Sequence, residues 1–233
     1  MRKHSSIALL AAALVLGSIA IPSASAAGDE VYCHGQIATY VGTAGDDTIS
    51  DEGTDLGRNP VIALGEGEDT LSLGQGYNDS LDSLTVCGGS GNDSLEVTEY
   101  IGGHAIVTLD GGLGDDFVGN NSGLNNSDLA RMVLVGGEGN DILRGGNGND
   151  VQDGGSGDDS IYGVGGRDKM SGGSGNDALF GQRGSDHLNG GSGFDKLDGD
   201  MPGYPDGRDV ADGGGNRDHC EADVQKRCEV ELK

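Results

Sequence analysis

Between residues 136 and 198 an aspartate recurs at every ninth position: Asp141, Asp150, Asp159, Asp168, Asp177, Asp186 and Asp195. Glycines travel with it. The segment reads GGEGNDILR, GGNGNDVQD, GGSGDDSIY, GVGGRDKMS, GGSGNDALF, GQRGSDHLN and GGSGFDKLD, with Gly at positions 1 and 4 and Asp at position 6 throughout. Position 8 holds Leu143, Gln152, Ile161, Met170, Leu179, Leu188 and Leu197, which are large and apolar except for Gln152. Carboxylates on a strict period are repeated ligands rather than one catalytic dyad, so pairs such as Asp115 and Asp116 read as turn residues.

The spacing dictates what must position these carboxylates. Six Gly-rich residues can turn sharply, because Gly reaches backbone angles that other residues avoid. The remaining three, with one central apolar side chain, make a short strand that points that side chain inward. Two units form a coil of two turns and two strands, and stacked coils place equivalent turns about 4.8 Å apart. Position-6 carboxylates then pile into two ladders, Asp141–Asp159–Asp177–Asp195 on one edge and Asp150–Asp168–Asp186 on the other. Stacked anions repel unless a hard cation sits between them. Oxygen-only ligands beside open backbone carbonyls suit calcium, so several Ca2+ ions are the expected cofactor.

This segment resembles the RTX, or hemolysin-type, calcium-binding repeat. The resemblance implies an all-β fold, a parallel β-roll or β-solenoid. It also implies that each ion is held between turns by position-6 carboxylates and by carbonyls of turn positions 1 to 4. Carried onto this chain, those turn glycines are Gly136, Gly137 and Gly139; Gly145, Gly146 and Gly148; Gly154, Gly155 and Gly157; Gly172, Gly173 and Gly175; and Gly190, Gly191 and Gly193. Val164 and Gln182 replace Gly at position 2, which keeps a carbonyl there but strains the turn.

Before residue 136 the strict register is lost and the motif persists. GTAGDDTIS, GEGEDTLS, GGSGNDSLE and GGLGDDFVG carry Asp47, Asp69, Asp93 and Asp116, each preceded by a β-rich run such as IATYV, PVIAL, LTV or AIVTL. These read as irregular coils with an Asp turn on one edge and a longer loop, such as GNNSGLNNSD, on the other. A single ladder from Asp47 to Asp195 is therefore expected. GQGYNDSL at 74–81 reads as a degraded turn. The stretch CHGQIATYVGTAGDDTI, followed by VCGGSGNDSL, resembles small exported actinobacterial members of the same group. That resemblance implies a Cys33–Cys87 disulfide.

Residues 1–26 read as a signal peptide: Arg2, Lys3 and His4, an apolar run from Ile7 to Ile21, then Ala24-Ser25-Ala26. A membrane anchor is the alternative, although the run is short for a span. A secreted location follows, where four cysteines imply two disulfides. Cys220 and Cys228, close in sequence, would pair. His219 beside Cys220 raises zinc as an alternative, but the spacing fits no usual four-ligand pattern.

A formal net charge of -25 makes nucleic acid and anionic membranes poor partners and cations good ones. No membrane insertion of the mature chain is expected, and its protein or surface partner stays open. No GxSxG, HExxH or Walker sequence occurs, and His34, His104, His187 and His219 are scattered. The chain reads as a non-enzymatic calcium-binding protein with a structural or interaction role. The alternative is an accessory or remnant of an RTX-type secreted hydrolase or toxin. Four segments are expected: the signal peptide (1–26), irregular coils (27–135), regular repeats (136–198) and a disulfide-bonded capping segment (199–233). On one outward face Tyr162 and Phe180 would be neighbours, either stacked to support the sheet or open to a partner. One large apolar side chain per nine residues is little to set against chain entropy, so the regular half is expected to need its metal to fold.

Overall fold

The computed structural model describes residues 31–50, 56–74, 81–97, 105–120, 131–200 and 207–228. Residues 1–26, read above as a signal peptide, His104, most of GQGYNDSL and most of the GNNSGLNNSD loop lie outside them. Every described element is a strand. A hairpin comes first, β1 (Tyr32–Cys33) against β2 (Gln36–Ile37). The rest form two parallel sheets visited alternately. Sheet 1 stacks β3 (Tyr40–Val41), β5 (Val61–Glu66), β7 (Ser83–Ser90), β9 (Ile106–Leu113), β11 (Arg131–Glu138), β13 (Val151–Ser156), β15 (Lys169–Ser174), β17 (His187–Ser192), β19 (Val210–Gly215) and β21 (Val224–Lys226). Sheet 2 stacks β4 (Thr48–Ser50), β6 (Thr70–Leu73), β8 (Ser94–Val97), β10 (Phe117–Gly119), β12 (Ile142–Arg144), β14 (Ser160–Gly166), β16 (Ala178–Gly184), β18 (Lys196–Asp200) and β20 (His219–Glu221). This is a parallel β-roll.

The nine-residue register survives intact. Gln152 pairs with Met170, Met170 with Leu188, Leu143 with Ile161 and Ile161 with Leu179, each pair joining position 8 of successive coils. Those side chains meet between the sheets as a narrow core of fully buried Leu71, Leu95, Val118, Leu143, Ile161, Leu179 and Leu197 facing Val86, Leu109, Leu134 and Leu188. The strands are longer than the expected three residues. They run on through positions 1 to 3, as in β13 (VQDGGS), where Gly155 and Ser156 pair with Gly173 and Ser174 of the next coil.

The tail continues the roll. β19, β20 and β21 add to both sheets, so the expected cap is itself a coil, tied by Cys220–Cys228 with a Cα–Cα distance of 5.9 Å. The pairing Cys33–Cys87 forms as well, at 5.8 Å. On the outer face of sheet 2, Tyr162 and Phe180 stack with centroids 5.1 Å apart and planes at 11°, and Lys196 lies 5.0 Å over Phe180. Val164 and Gln182 hold positive φ of 81° and 73°, which is the strain their substitution for Gly implies.

Gln152 is the polar exception at position 8. Its Nε2 donates to the Tyr162 carbonyl at 3.1 Å, while its buried Oε1 has no donor. Gly145 N–H also donates to that carbonyl at 2.9 Å, so the carbonyl keeps a partner without Gln152. Gln152→Leu is expected to stabilise the protein by about 1 kcal/mol, because it removes an unmet acceptor and strands nothing. Thermal unfolding in saturating calcium should rise by about 2–4 °C.

Candidate metal centre

Each position-6 aspartate enters its strand from the last residue of a turn, so stacking the strands stacks the carboxylates. On the first edge the backbone N–H of each aspartate donates to Oδ1 of the aspartate one coil further on. The chain of bonds runs Asp47 to Asp69 (2.7 Å), Asp69 to Asp93 (2.8 Å), Asp93 to Asp116 (2.7 Å), Asp116 to Asp141 (2.8 Å), Asp141 to Asp159 (2.8 Å), Asp159 to Asp177 (2.9 Å) and Asp177 to Asp195 (2.9 Å). The irregular and regular halves share one ladder, as the sequence suggests. The second edge repeats the pattern from Asp150 to Asp168 (2.8 Å) and Asp168 to Asp186 (2.9 Å).

Both ladders extend into residues that the sequence reading left out. Asp195 donates to Asp218 at 3.1 Å, Asp186 to Asp209 at 2.8 Å and Asp209 to Asp223 at 3.3 Å. The signal was present in GGGNRDHCE (213–221), a nonapeptide with Asn216 for Gly at position 4; Asn216 adopts φ 69° in its place. At the other end, Met132 N–H donates to Asp150 at 2.8 Å, so Met132 stands where the next carboxylate would be. Leu84 and Val107 precede it in register and are buried. The second ladder therefore stops where apolar residues take over its edge.

One oxygen of each carboxylate is thus used. The other, Oδ2, is buried without a hydrogen-bond partner in Asp69, Asp93, Asp116, Asp141, Asp159, Asp168, Asp177, Asp195 and Asp218. A buried carboxylate oxygen with no donor is costly, and repetition along the ladder rules out an isolated packing fault. Further oxygens crowd the same space. A Cβ built on Gly163 would lie 2.5 Å from Asp168 Oδ2 and 2.7 Å from the Gly181 carbonyl oxygen of the next coil. The pattern recurs at Gly136, Gly154, Gly172 and Gly190, where Cβ would meet the turn's own Asp Oδ2 and the next coil's position-1 carbonyl. Position 1 is Gly because oxygens fill the place of its side chain. Converging anionic and carbonyl oxygens without donors fit a hard divalent cation.

The heads of the ladders differ. Asp47 Oδ2 accepts from Thr43 N–H and from the Thr43 hydroxyl, and Asp150 Oδ2 accepts from Gly146 N–H at 2.8 Å. Both carboxylates are satisfied within their own turns. The repeat puts these two turns, with Gly145, Gly146 and Gly148, on a par with the rest, but their own hydrogen bonds set them apart.

A second, outer ladder went unread in the sequence. At position 5, Asn92 Oδ1 accepts from Asp115 N–H, Asp115 from Asn140, Asn140 from Asp158, Asp158 from Asn176 and Asn176 from Phe194, at 2.7–3.0 Å. It runs opposite to the position-6 ladder and explains why Asn or Asp so often precedes the ligand aspartate. These side chains fix turn spacing and are exposed.

Burial pushes the inner carboxyls up, to about 6 for Asp69 and Asp177, about 7 for Asp116 and Asp159, and about 8 for Asp168; neighbouring aspartates add to the rise. Between pH 4 and 8 the metal-free folded state therefore binds more protons than the unfolded chain. Its stability is greatest below about pH 4 and falls as pH rises through that window. Calcium requires the deprotonated form, so its affinity moves the other way. In chelator, a cooperative urea transition of the regular half, absent near pH 8, should appear and move to higher urea as the pH falls to 4.5, whereas in saturating calcium the midpoint should not climb on acidification.

Residues 133–161 and 162–197 match the family model of the RTX calcium-binding nonapeptide repeat. The chain carries RTX repeats. No curated protein and no solved structure matches it. The RTX match covers β12 to β17, most of β11 and the first two residues of β18. Within it the ladder carboxylates run from Asp141 to Asp195. The RTX repeats and the irregular coils before them form one continuous roll with one continuous first-edge ladder.

Proposed function

We propose that this chain is an exported, non-catalytic protein whose β-roll folds around calcium ions held between successive turns, and that the folded roll serves as a structural or interaction surface. The observation that carries the reading is the row of buried Asp Oδ2 atoms without donors, spanning coils inside and outside the family match. Asp69, Asp93, Asp116, Asp141, Asp159, Asp168, Asp177 and Asp195, with the position-1 carbonyls beside them, would hold Ca2+, whose positive charge would meet that deficit. Two disulfides suit an oxidising compartment, where calcium is also plentiful. Folding would then wait until after export. The outer face of sheet 2, where Tyr162 and Phe180 stack, would offer one surface for such contact.

The reading is tested by producing the full chain in a secreting host. It should appear in the medium, shortened at its N-terminus and resistant to protease in millimolar calcium but not in chelator. Retention in the cytosol, or protease resistance indifferent to calcium, would overturn it.

A further inference from the structure

Asp110 belongs to neither ladder. It sits on the outer face of sheet 1, at position 9 of its coil, directly across from Cys87 in the register of β7 and β9. The β1–β2 hairpin folds over that pair. Its turn, His34-Gly35, has positive φ at both residues (49° and 75°), as a two-residue hairpin connection requires. That backbone aims His34 outward from the turn and onto the sheet, with Nε2 3.0 Å from Asp110 Oδ2. Cys33, buried beside it, is bonded to Cys87. The ligand atoms of His34, Cys87 and Asp110 lie within 4.8 Å of one another, the one such cluster of His, Cys and acidic groups among the described residues.

Two sulfurs, one imidazole and one carboxylate are a tetrahedral zinc set. The hairpin does not depend on the disulfide for its place. Thr39 N–H and hydroxyl both donate to the Val61 carbonyl (2.7 and 2.9 Å), and Val61 N–H donates back to the hydroxyl at 2.9 Å, anchoring the hairpin's exit to β5. The exit of the hairpin is therefore held to β5 by bonds that do not involve Cys33 or Cys87.

We propose that Cys33, Cys87, His34 and Asp110 form a zinc site that exists only in the reduced protein, so that this corner of the roll is closed either by a disulfide or by a metal. Two equivalents of a small thiol reduce the Cys33–Cys87 bond to two thiols and leave as their own disulfide. Zinc then displaces both thiol protons and takes the lone pairs of His34 Nε2 and Asp110 Oδ2. In the oxidised chain the thiolates are absent, and His34 and Asp110 keep only each other. The site is chemically unlike the ladders, which offer oxygen alone.

Cobalt(II) is the probe, added to full-length protein in calcium-saturated buffer with the Cys220→Ser and Cys228→Ser substitutions silencing the second cysteine pair. After reduction with a phosphine, the expected result is intense tetrahedral d–d bands with thiolate-to-cobalt charge transfer at one ion per chain, displaced by zinc and absent from the oxidised protein. His34→Ala and Asp110→Asn should each weaken binding about tenfold or more, since even outer-shell changes cost that much. In reduced wild type, which needs no substitution, zinc should slow alkylation of Cys33 and Cys87 relative to Cys220 and Cys228. Weak octahedral bands alone, unchanged affinity in both variants, or equal alkylation of all four cysteines would overturn the proposal.

Discussion

Withdrawing calcium at pH 7.5 is expected to abolish the cooperative unfolding of the regular half of the roll. Each site filled a hundredfold above its Kd contributes about 2.7 kcal/mol. Several such sites together match the whole stability of an ordinary domain, about 5–15 kcal/mol. Without the ion, coils from residue 136 onward offer one buried apolar side chain per nine residues and a row of buried carboxylates whose desolvation opposes folding. The earlier coils are better supplied. Ile62, Leu64, Leu84, Val86, Val107, Leu109 and Met132 are buried there, and Cys33–Cys87 ties the hairpin to β7. Limited proteolysis in chelator should therefore cut first within residues 136–198 and later in the preceding coils. Uniform resistance along the chain would contradict this.

The second large effect separates two turn glycines, one at the invariant position 4 and one at position 2. Gly157 stands at position 4 with φ 126°, a region closed to other residues, and its added Cβ would strike the Gly139 carbonyl of the coil before. Gly146 stands at position 2 of the first second-edge turn, where φ is not positive and the nearest atom to an added Cβ is Asn120 Nδ2 at 3.7 Å. Gly157→Ala is expected to cost about 3 kcal/mol or more, from backbone strain and a steric clash that the stacked turns cannot relieve. Gly146→Ala should fall within about 1 kcal/mol of wild type. Thermal denaturation of both variants in saturating calcium checks the pair; equal losses would show that the turns do not differ as described.

That contrast also marks how far the sequence reached. The invariant Gly, Gly and Asp of seven consecutive units dictate a roll, because position, side-chain direction and turn all follow from the nine-residue count. The same count located the ladder from Asp141 to Asp195, and the β-rich runs before Asp69, Asp93 and Asp116 carried it back to Asp47. Asp209, Asp218 and Asp223 were missed because an insertion before Gly207 breaks the count and Asn216 stands in for Gly, although Asn tolerates the same positive φ. The ladder heads at Asp47 and Asp150 were not separable by residue type. What distinguishes them is a backbone N–H at position 2 turned inward where the stacked Asp turns begin, a property of place in the stack. The outer Asn and Asp ladder was visible as a preference at position 5 and needed the stacking register to acquire a meaning.

Native mass spectrometry of bound calcium counts the ions that the ladder carboxylates hold. Asp159 lies between Asp141 and Asp177 in the ladder and so borders two gaps between turns. Asp159→Asn retains the side-chain oxygen that accepts the Asp141 N–H and removes the charge. Asp159→Asn is expected to bind one or two fewer calcium ions than wild type at equal free calcium, while Asp110→Asn, outside the ladders, binds as many as wild type. An unchanged count in Asp159→Asn would contradict the assignment of the ladder carboxylates as calcium ligands.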